Sequence, residues 1–400
     1  MPIFLSLGSQ YSFSDSLAAL WPVKRESRIA LQHYLAEHFQ GQAILTYKAR
    51  EALELLLGRL QHSDSTHIFF QGFACYALES AITKAGKQPG FVDVAEQSVN
   101  LSLETILAAQ KRYGTPAALL VQHTFGVPAQ MQVIREWCTQ NKVALIADVA
   151  QSYGAHDETG TELGQGSDAV LCSFGRDKVI DAVSGGAAII KNTRYFKPFE
   201  ALDLSVVSTS VRANDAIYPL LTWKIRHLYQ LGVGKLLHVV VKKLGLLQSP
   251  LYSQVDQPSE LPLERAAAAL GKIETLPVVV QHRRVIAEIY QTELFRISAI
   301  TQLLSTKDIR NGANLRFPIW VENPQAVLKQ MRQHNIHIAD RWYRSVIDCS
   351  TLDCQSQYEA GTCPNAEQLA QHAIQLPTHQ EITPAAAKQI VAVLKAFYAT

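Results

Sequence analysis

The segment VALIADV, residues 143–149, is an apolar run whose single charged residue, Asp148, stands near its end. It closes a series in which short apolar runs alternate with stretches of helical periodicity, and the earlier runs are AILTY, HIFFQ, GFVDV and AALLVQH. This alternation is typical of βαβ units. The sequence therefore predicts an α/β fold with a mostly parallel sheet over residues 42 to 190.

Four loop segments are expected at one rim of this sheet. Ligands of open parallel sheets bind in the crevice beyond the carboxyl ends of the strands. The strand pattern brings to that rim residues 71–73, 123–126 and 148–151, together with Ser173. We therefore search these loops for residues that carry chemistry.

Two further regions follow the sheet. Residues 215–247 are apolar but contain Lys and Arg side chains that are too frequent for a membrane-spanning helix. Two interpretations remain: a helix that packs on the body or on a second subunit, and an interfacial helix that contacts anionic lipid. After residue 261, mixed patterns predict a smaller α+β domain. The chain then divides into a large domain (1–210), an insert or connection (211–260) and a small C-terminal domain (261–400).

Composition excludes several classes of function. The 400 residues carry 37 Lys and Arg against 35 Asp and Glu, so no broad positive field is available to attract nucleic acid. The six cysteines include no C-x-x-C pair, which favours reduced thiols over a metal site. The N-terminus lacks the pattern of a secretory signal. We expect a cytoplasmic protein that binds small molecules or proteins.

The segment SFGRDK, residues 173–178, brings a lysine to the end of an apolar strand. A lysine amine is a nucleophile only when neutral, and burial or a neighbouring cation lowers its pKa toward that state. Taken alone, such a lysine is usually structural. However, pyridoxal phosphate (PLP) requires a lysine for its aldehyde and a carboxylate beside its ring nitrogen. Lys178 and Asp148 fit these two roles.

The motifs around these two residues extend along the chain. ADVAQSYGA (147–155), SFGRDK and the pair Gly185-Gly186 are accompanied, in order, by GFVDV, HTFGVPAQM, HRRVIAEIY and CPNAEQLAQHAIQLPTH. Together they resemble the DegT/DnrJ/EryC1/StrS aminotransferases, PLP enzymes of fold type I that aminate nucleotide-linked keto sugars. The resemblance covers roughly residues 42 to 398 and rests on several ordered motifs.

The resemblance implies a role for each residue of the rim. Lys178 would carry the cofactor as a Schiff base and move the proton between cofactor and substrate, while Asp148 would pair with the ring nitrogen. Gln151 would hydrogen-bond near the phenolic oxygen, and Ser173 would bind the phosphate. The resemblance also implies a homodimer with the site near its interface.

The chain departs from the family pattern in its phosphate ligands. The Ser-Gly-Thr or Asn-Gly-Thr cradle at the start of the first helix is replaced by TYKAREAL, which aligns Ala49 and Arg50 with Gly-Thr. A helix N-terminus still favours phosphate, and a guanidinium adds a bidentate donor. The Asn-Tyr-Arg-Met segment, which sends an Asn to the neighbouring subunit, is replaced by ELPL (260–263). We expect an altered phosphate site in which Arg50 substitutes electrostatically.

The stacking position of the family aligns with Cys75, which is not aromatic. Phe73 and Tyr76 flank it, and either ring could lie against the cofactor or belong to the core. Both alternatives stay open.

Transfer of an amino group from glutamate or glutamine to a nucleotide-linked keto sugar, in polysaccharide or glycoconjugate biosynthesis, is the function that these features favour. Dehydrating members of the family carry His in place of the lysine, whereas this chain keeps Lys178. One alternative is another PLP-dependent reaction, or a non-sugar or lipid-linked keto substrate, on the same scaffold. A second alternative is a binding or regulatory protein without turnover.

Overall fold

A seven-stranded sheet lies at the centre of the protein, whose computed structural model describes residues 2–21, 23–61, 64–200, 202–247, 257–339, 342–349 and 354–399. In chain order the strands are β1 (Ile3–Phe4), β2 (Gln42–Thr46), β3 (His67–Gln71), β4 (Gln88–Val92), β5 (Ala118–Gln122), β6 (Ala144–Asp148), β7 (Ala169–Ser173), β8 (Gly186–Ile190), β9 (Thr301–Gln302), β10 (Arg316–Trp320), β11 (Ile336–His337) and β12 (Ala373–Pro377). The central sheet has the order β2-β8-β7-β6-β5-β3-β4. Only β8 pairs antiparallel, with β2 and β7. The predicted α/β fold with a mostly parallel sheet is confirmed.

Both faces of this sheet are buried. On β5, Leu119 and Val121 belong to one hydrophobic cluster, while Ala118 and Leu120 belong to the other. Successive side chains of a strand point to opposite faces, so each cluster takes every second residue. Helices cover both faces, which explains why the strands of this sequence are continuous apolar runs.

The helices are α1 (Phe13–Ala18), α2 (Ser27–Phe39), α3 (Ala49–Leu57), α4 (Tyr76–Lys84), α5 (Leu103–Tyr113), α6 (Met131–Asn141), α7 (Thr209–His227), α8 (Val233–Lys243), α9 (Leu263–Leu294), α10 (Thr306–Asn311), α11 (Pro324–Gln333), α12 (Pro364–His372) and α13 (Pro384–Tyr398). The two helical patterns after residue 261 join in α9, which runs through Pro277. Proline removes one backbone hydrogen bond. The apolar stripe nevertheless continues, because Leu276 and Val280 are buried on either side.

The insert forms two helices where its apolar pattern predicted one. A turn around Gly232, whose φ of +79° suits glycine, separates α7 from α8. Helix α7 packs against α1, and the rings of Trp223 and Phe13 lie 4.8 Å apart. Among the helices that the structure describes, none has the length and apolar character needed to cross a bilayer.

The C-terminal part contains a three-stranded antiparallel sheet in the order β12-β10-β9. The N-terminal strand β1 joins this part of the molecule by pairing in parallel with β11. Cys349 and Cys354 form a disulfide, so the expectation of reduced thiols was wrong for these two residues. The free cysteines are Cys75, Cys138, Cys172 and Cys363.

Candidate active site

Asp148 lies at the carboxyl end of β6, in register with Gln122 on β5 and Leu171 on β7. Its side chain is 3% exposed, and its carboxylate accepts a hydrogen bond from the Ala150 N–H at 2.9 Å. Burial raises the pKa of Asp148 to about 6, while the charge of Lys178 acts in the opposite direction. A carboxylate buried in this way is stabilised by a cation.

Lys178 lies close to Asp148, on the loop that follows β7. Burial lowers the pKa of Lys178, and the Asp148 carboxylate opposes this change. A lower pKa increases the share of neutral amine, the form that attacks a carbonyl carbon. The fold therefore brings together the two residues that the sequence singled out from separate strands.

Side chains from distant parts of the chain fix the lysine loop. Nε2 of Gln10 donates to the Lys178 carbonyl at 2.7 Å. Oε1 of Gln10 accepts from Nη2 of Arg283 at 2.7 Å, and Nη1 of Arg283 donates to the Leu315 carbonyl at 2.8 Å. These bonds hold the backbone of Lys178 and do not involve its amine.

Two aromatic residues from the C-terminal part contact the predicted site residues. Nζ of Lys178 lies 4.5 Å from the centre of the Trp342 ring. The Tyr343 hydroxyl accepts a hydrogen bond from Nε2 of Gln151 at 2.6 Å, and its ring lies 5.0 Å from that of Phe73. The sequence did not predict either residue. An adjacent Trp-Tyr pair in a polar stretch is the signal that could have drawn attention to them.

Gln151 is hydrogen-bonded at both ends of its amide. Besides the bond to Tyr343, its Oε1 accepts from the N–H of Phe125 at 2.8 Å. Phe125 has a φ of 56° and Gly126 a φ of 83°, so this turn has left-handed backbone at two successive residues. Phe73 is fully buried and packs edge-on against Phe125. It therefore lies in the core beside the site.

Cys75 is the N-cap of α4, and its Sγ accepts from the Ala77 N–H at 3.5 Å. Burial raises the pKa of the Cys75 thiol, whereas the charges of Lys178 and Arg50 act to lower it. The Cys75 thiol is thus close to both cations. Burial favours the protonated thiol, which is not a nucleophile.

The other end of the site lies where β7, β8 and α3 meet. Ser173 ends β7 in register with Gly186, and its Oγ accepts from the Gly175 N–H at 3.4 Å. A Cβ on Gly186 would lie 2.3 Å from Cα of Ala49, so only glycine lets α3 begin so close to β8. The partly positive N-terminus of α3, with Ala49 at its first position, therefore lies beside the strand that pairs with Ser173.

Cations surround this junction. Burial lowers the pKa of Lys48 to about 8; Asp215 opposes the change, and Arg176 and Arg50 add to it. Nη2 of Arg176 lies 3.5 Å from Oδ1 of Asp215. Oδ2 of Asp215 accepts from the Tyr47 hydroxyl at 2.8 Å. Lys48 and Arg176 were not predicted as cofactor ligands; both belong to motifs whose other residues attracted attention.

The segment 260–263 packs within its own chain. Leu261 is fully buried, and Glu260 forms an ion pair with Arg28. The backbone of Glu260 also bridges Thr46 at the end of β2. This segment therefore lies beside the phosphate end of the site, although it carries no Asn.

A sequence model of the DegT/DnrJ/EryC1/StrS aminotransferase family matches residues 26–216 and 259–395. The chain belongs to this family. Members depend on pyridoxal 5'-phosphate, and the protein is a PLP-dependent aminotransferase. The match includes Lys178 and Asp148, and it omits residues 1–25, 217–258 and 396–400.

Two relatives illustrate the similarity in sequence. The erythromycin biosynthesis sensory transduction protein EryC1 of Saccharopolyspora erythraea is 25% identical over 346 residues, or 86% of this chain and 83% of that protein. The dTDP-3-amino-3,4,6-trideoxy-alpha-D-glucose transaminase of Micromonospora megalomicea subsp. nigra is 32% identical over 114 residues, or 28% of this chain and 29% of that protein. The first likeness extends over most of both chains.

Solved structures show the same fold at low identity. Helicobacter pylori PseC, an aminotransferase involved in the biosynthesis of pseudoaminic acid, superposes with a TM-score of 0.70 at 16% identity over 100% of both chains. NtdA of Bacillus subtilis, with bound cofactor PMP, gives a TM-score of 0.72 at 16% identity over 99% of this chain and 85% of that one. The predicted fold type I architecture is confirmed.

The residues of this site fit the family's cofactor. A phosphate monoester carries close to two negative charges at neutral pH. The cations Lys48, Arg50 and Arg176 lie close together at this junction, where a phosphate would interact favourably with all three charges. The aldehyde and ring nitrogen require an amine and a carboxylate, which the other end of the site contains.

Proposed function

We propose that this enzyme transfers an amino group from an amino acid, glutamate or glutamine, to a keto sugar carried on a nucleotide. The observation that carries the proposal is the pair formed by Lys178, whose pKa is lowered by burial, and the buried carboxylate of Asp148. The family match adds the reaction type. Relatives named dTDP-sugar transaminase and GDP-perosamine synthase support a nucleotide-linked sugar as acceptor.

Within this proposal, Lys178, Asp148 and Gln151 form the end of the site that binds the ring and aldehyde of the cofactor. When bound, PLP supplies an electron sink that allows an amino group to move between an amino acid and a ketone. Lys178 would hold the cofactor through Nζ, and as a free amine it would hold and deliver a proton at that atom. Asp148 would supply a carboxylate to the ring nitrogen. Gln151, anchored by Tyr343, would offer its amide near the cofactor's phenolic oxygen.

The other end of the site would hold the phosphate. Ser173 and the N-terminus of α3, which begins at Ala49, supply hydroxyl and N–H donors. Arg50 supplies a charge where relatives use the Gly-Thr pair. The half-buried Lys48 strengthens the positive field there. Cys75 and Phe73, on the intervening loop, limit the width of the cofactor pocket.

We also propose that the enzyme is a cytoplasmic homodimer with the three-part division 1–210, 211–260 and 261–400. Two-fold dimers are the commonest oligomers. Sedimentation at working concentration tests the dimer, and a fully active monomer would exclude it.

The substrate is identified by incubating the PLP-loaded enzyme with glutamate or glutamine and candidate nucleotide-linked keto sugars. Mass spectrometry of the product detects replacement of the carbonyl oxygen by an amino group. We expect one such sugar to be aminated, and the Lys178→Ala variant to form no product. Amination of a ketone that is not a nucleotide sugar, with no nucleotide sugar converted, would contradict the proposed substrate and keep the reaction type.

A further inference from the structure

Helix α8 carries an apolar face that no described part of the protein covers. An adjacent side of the helix packs inward, where Gly234 and Val241 are buried. The exposed face consists of side chains three or four positions apart, so they lie on one side of the helix. They are Val233, Leu236, Val240 and Leu244, which are 55%, 67%, 44% and 68% exposed. A contiguous apolar face of this kind marks an interaction surface.

The charges on the same helix all have one sign. Lys235, Lys242 and Lys243 are exposed. At 100° per residue, Lys243 lies at the edge of the apolar face beside Leu236, and Lys235 and Lys242 lie further around the exposed side, beyond Val239, which is 53% exposed. Residues 216–255 contain no Asp or Glu. An exposed apolar stripe flanked by lysines is the pattern of helices that lie in the plane of a lipid surface.

This helix lies outside the part of the chain that the family shares. The family match omits residues 217–258, which contain all of α8, and residues 1–25, which contain α1. The two omitted stretches touch, because Phe13 of α1 contacts Trp223 of α7. The N-terminal stretch also exposes apolar side chains, and Trp21 is 72% exposed. The catalytic scaffold thus carries an additional unit with an apolar and basic surface.

The positive charge of α8 favours an anionic lipid surface over a second copy of the chain as the partner that covers its apolar face. A second copy paired across the same face would bring the three lysines of α8 toward those of its partner, and like charges at an interface are unfavourable. An anionic bilayer accepts both the apolar side chains and the lysines. We propose that α8 docks the enzyme on an anionic lipid surface, with the helix in the plane of that surface.

Vesicle cosedimentation tests this docking with the full-length, PLP-loaded enzyme. The vesicles are phosphatidylcholine alone or phosphatidylcholine with about 30% phosphatidylglycerol. We expect the enzyme to bind the anionic vesicles, to bind neutral ones at least about ten-fold more weakly, and to be released by about 0.5 M NaCl. Binding that is absent, or equal for both vesicles, overturns the proposal.

Two pairs of substitutions locate the contact. Leu236→Glu with Val240→Glu removes the apolar face, and Lys242→Glu with Lys243→Glu reverses the charge. Each pair should lower the partition coefficient at least about ten-fold, because each lysine near an anionic surface contributes about five-fold. Retained visible absorbance of the bound cofactor shows that the variants are folded.

Matched controls make the same changes elsewhere on the surface. Lys329→Glu with Lys388→Glu, on α11 and α13, gives an equal change in net charge, and Val278→Glu replaces another exposed apolar residue on α9. We expect wild-type binding from these controls. If they lose binding equally, the attraction is not specific to α8. If the α8 variants change the sedimenting mass of the free enzyme but not its vesicle binding, the face contacts a second copy. Either result overturns the proposal.

Discussion

The catalytic site and helix α8 depart in opposite ways from the usual distribution of side chains: the site buries a charged group, and the helix exposes apolar groups. At the site, a carboxylate that is 3% exposed lies near a half-buried lysine, whereas on α8 a leucine that is 67% exposed lies among lysines at the surface. Buried charge and exposed apolar area both oppose the ordinary distribution of side chains. We therefore expect each region to bind another molecule, which would pair the buried charge at the site and cover the exposed apolar surface of α8. The two regions should respond independently to mutation.

The largest effect is expected from Lys178→Ala. Removing the amine eliminates both covalent cofactor attachment and proton transfer, so turnover should fall by at least about 10³-fold. Borohydride reduction followed by peptide mass spectrometry should find the cofactor on Lys178 in wild type and on no peptide of the variant. A labelled peptide in the variant would show that another lysine holds the cofactor. Lys178→Arg, which keeps the charge, should be equally inactive, and vesicle binding should not change.

Asp148→Asn should lower turnover by about 100-fold while the cofactor still binds. An amide cannot stabilise the ring nitrogen cation, and electrostatic contributions of this kind are typically of that size. Steady-state kinetics and the visible spectrum measure the two properties separately. Asp168→Asn is the matched control, because Asp168 accepts from the Leu145 N–H at the opposite end of β7. Wild-type turnover in Asp148→Asn would mean that Asp148 is only a backbone cap.

Arg50→Ala should weaken PLP binding about ten-fold or more, because a hydrogen bond to a charged group contributes about 1.5–3 kcal/mol. Arg50→Lys should recover part of this loss, since a point charge cannot reproduce the bidentate geometry. Titration of PLP into the three apo proteins measures the affinities. Equal affinities would mean that backbone N–H groups and Ser173 suffice. Arg296→Ala, at an exposed position just after α9, serves as a charge-matched control.

The smallest effect concerns the stability of the cofactor-free protein. Burial raises the pKa of Asp148 to about 6 from an ordinary value of 3.8. The folded state therefore loses stability as the pH rises from about 4 through about 6, and above that range the loss is about 3 kcal/mol. Apo Asp148→Asn does not ionise there, so it should melt a few degrees above wild type at pH 8 and equally near pH 4.

The Asp168→Asn control should move in the opposite direction in the same thermal scans. Its carboxylate accepts hydrogen bonds from the Leu145 N–H at 2.8 Å and from Nδ2 of Asn192 at 2.6 Å. An asparagine amide keeps one acceptor oxygen, so the substitution removes one of these two bonds and should lower the melting temperature. If apo Asp148→Asn also melts lower at pH 8, burial of the Asp148 charge does not destabilise the protein. Asp148 would then stabilise the fold in the same way as Asp168.

The sequence by itself determined the sheet and the two principal residues of the site. Apolar runs identify the parallel strands, and the ends of such strands share one rim, so Asp148 and Lys178 could be associated from their positions alone. The phosphate end was partly predictable for the same reason, because a helix N-terminus follows the first strand of the sheet. These positions depend on the local geometry of strands and turns. That geometry sets the spacing of the residues along the chain, so it can be predicted from the sequence.

Only the tertiary structure decided which distant residues complete the site. Tyr343 reaches Gln151 across 192 positions, and Gln10 reaches Lys178 across 168. No periodicity predicts such contacts, since they depend on how the C-terminal part and the N-terminus pack on the sheet. The exposure of α8 also depends on packing, because its sequence allowed the apolar side chains to face either the protein interior or the solvent. Packing buried Gly234 and Val241 and left Leu236 in solvent, because a helix side is buried only where a neighbouring element is placed to cover it.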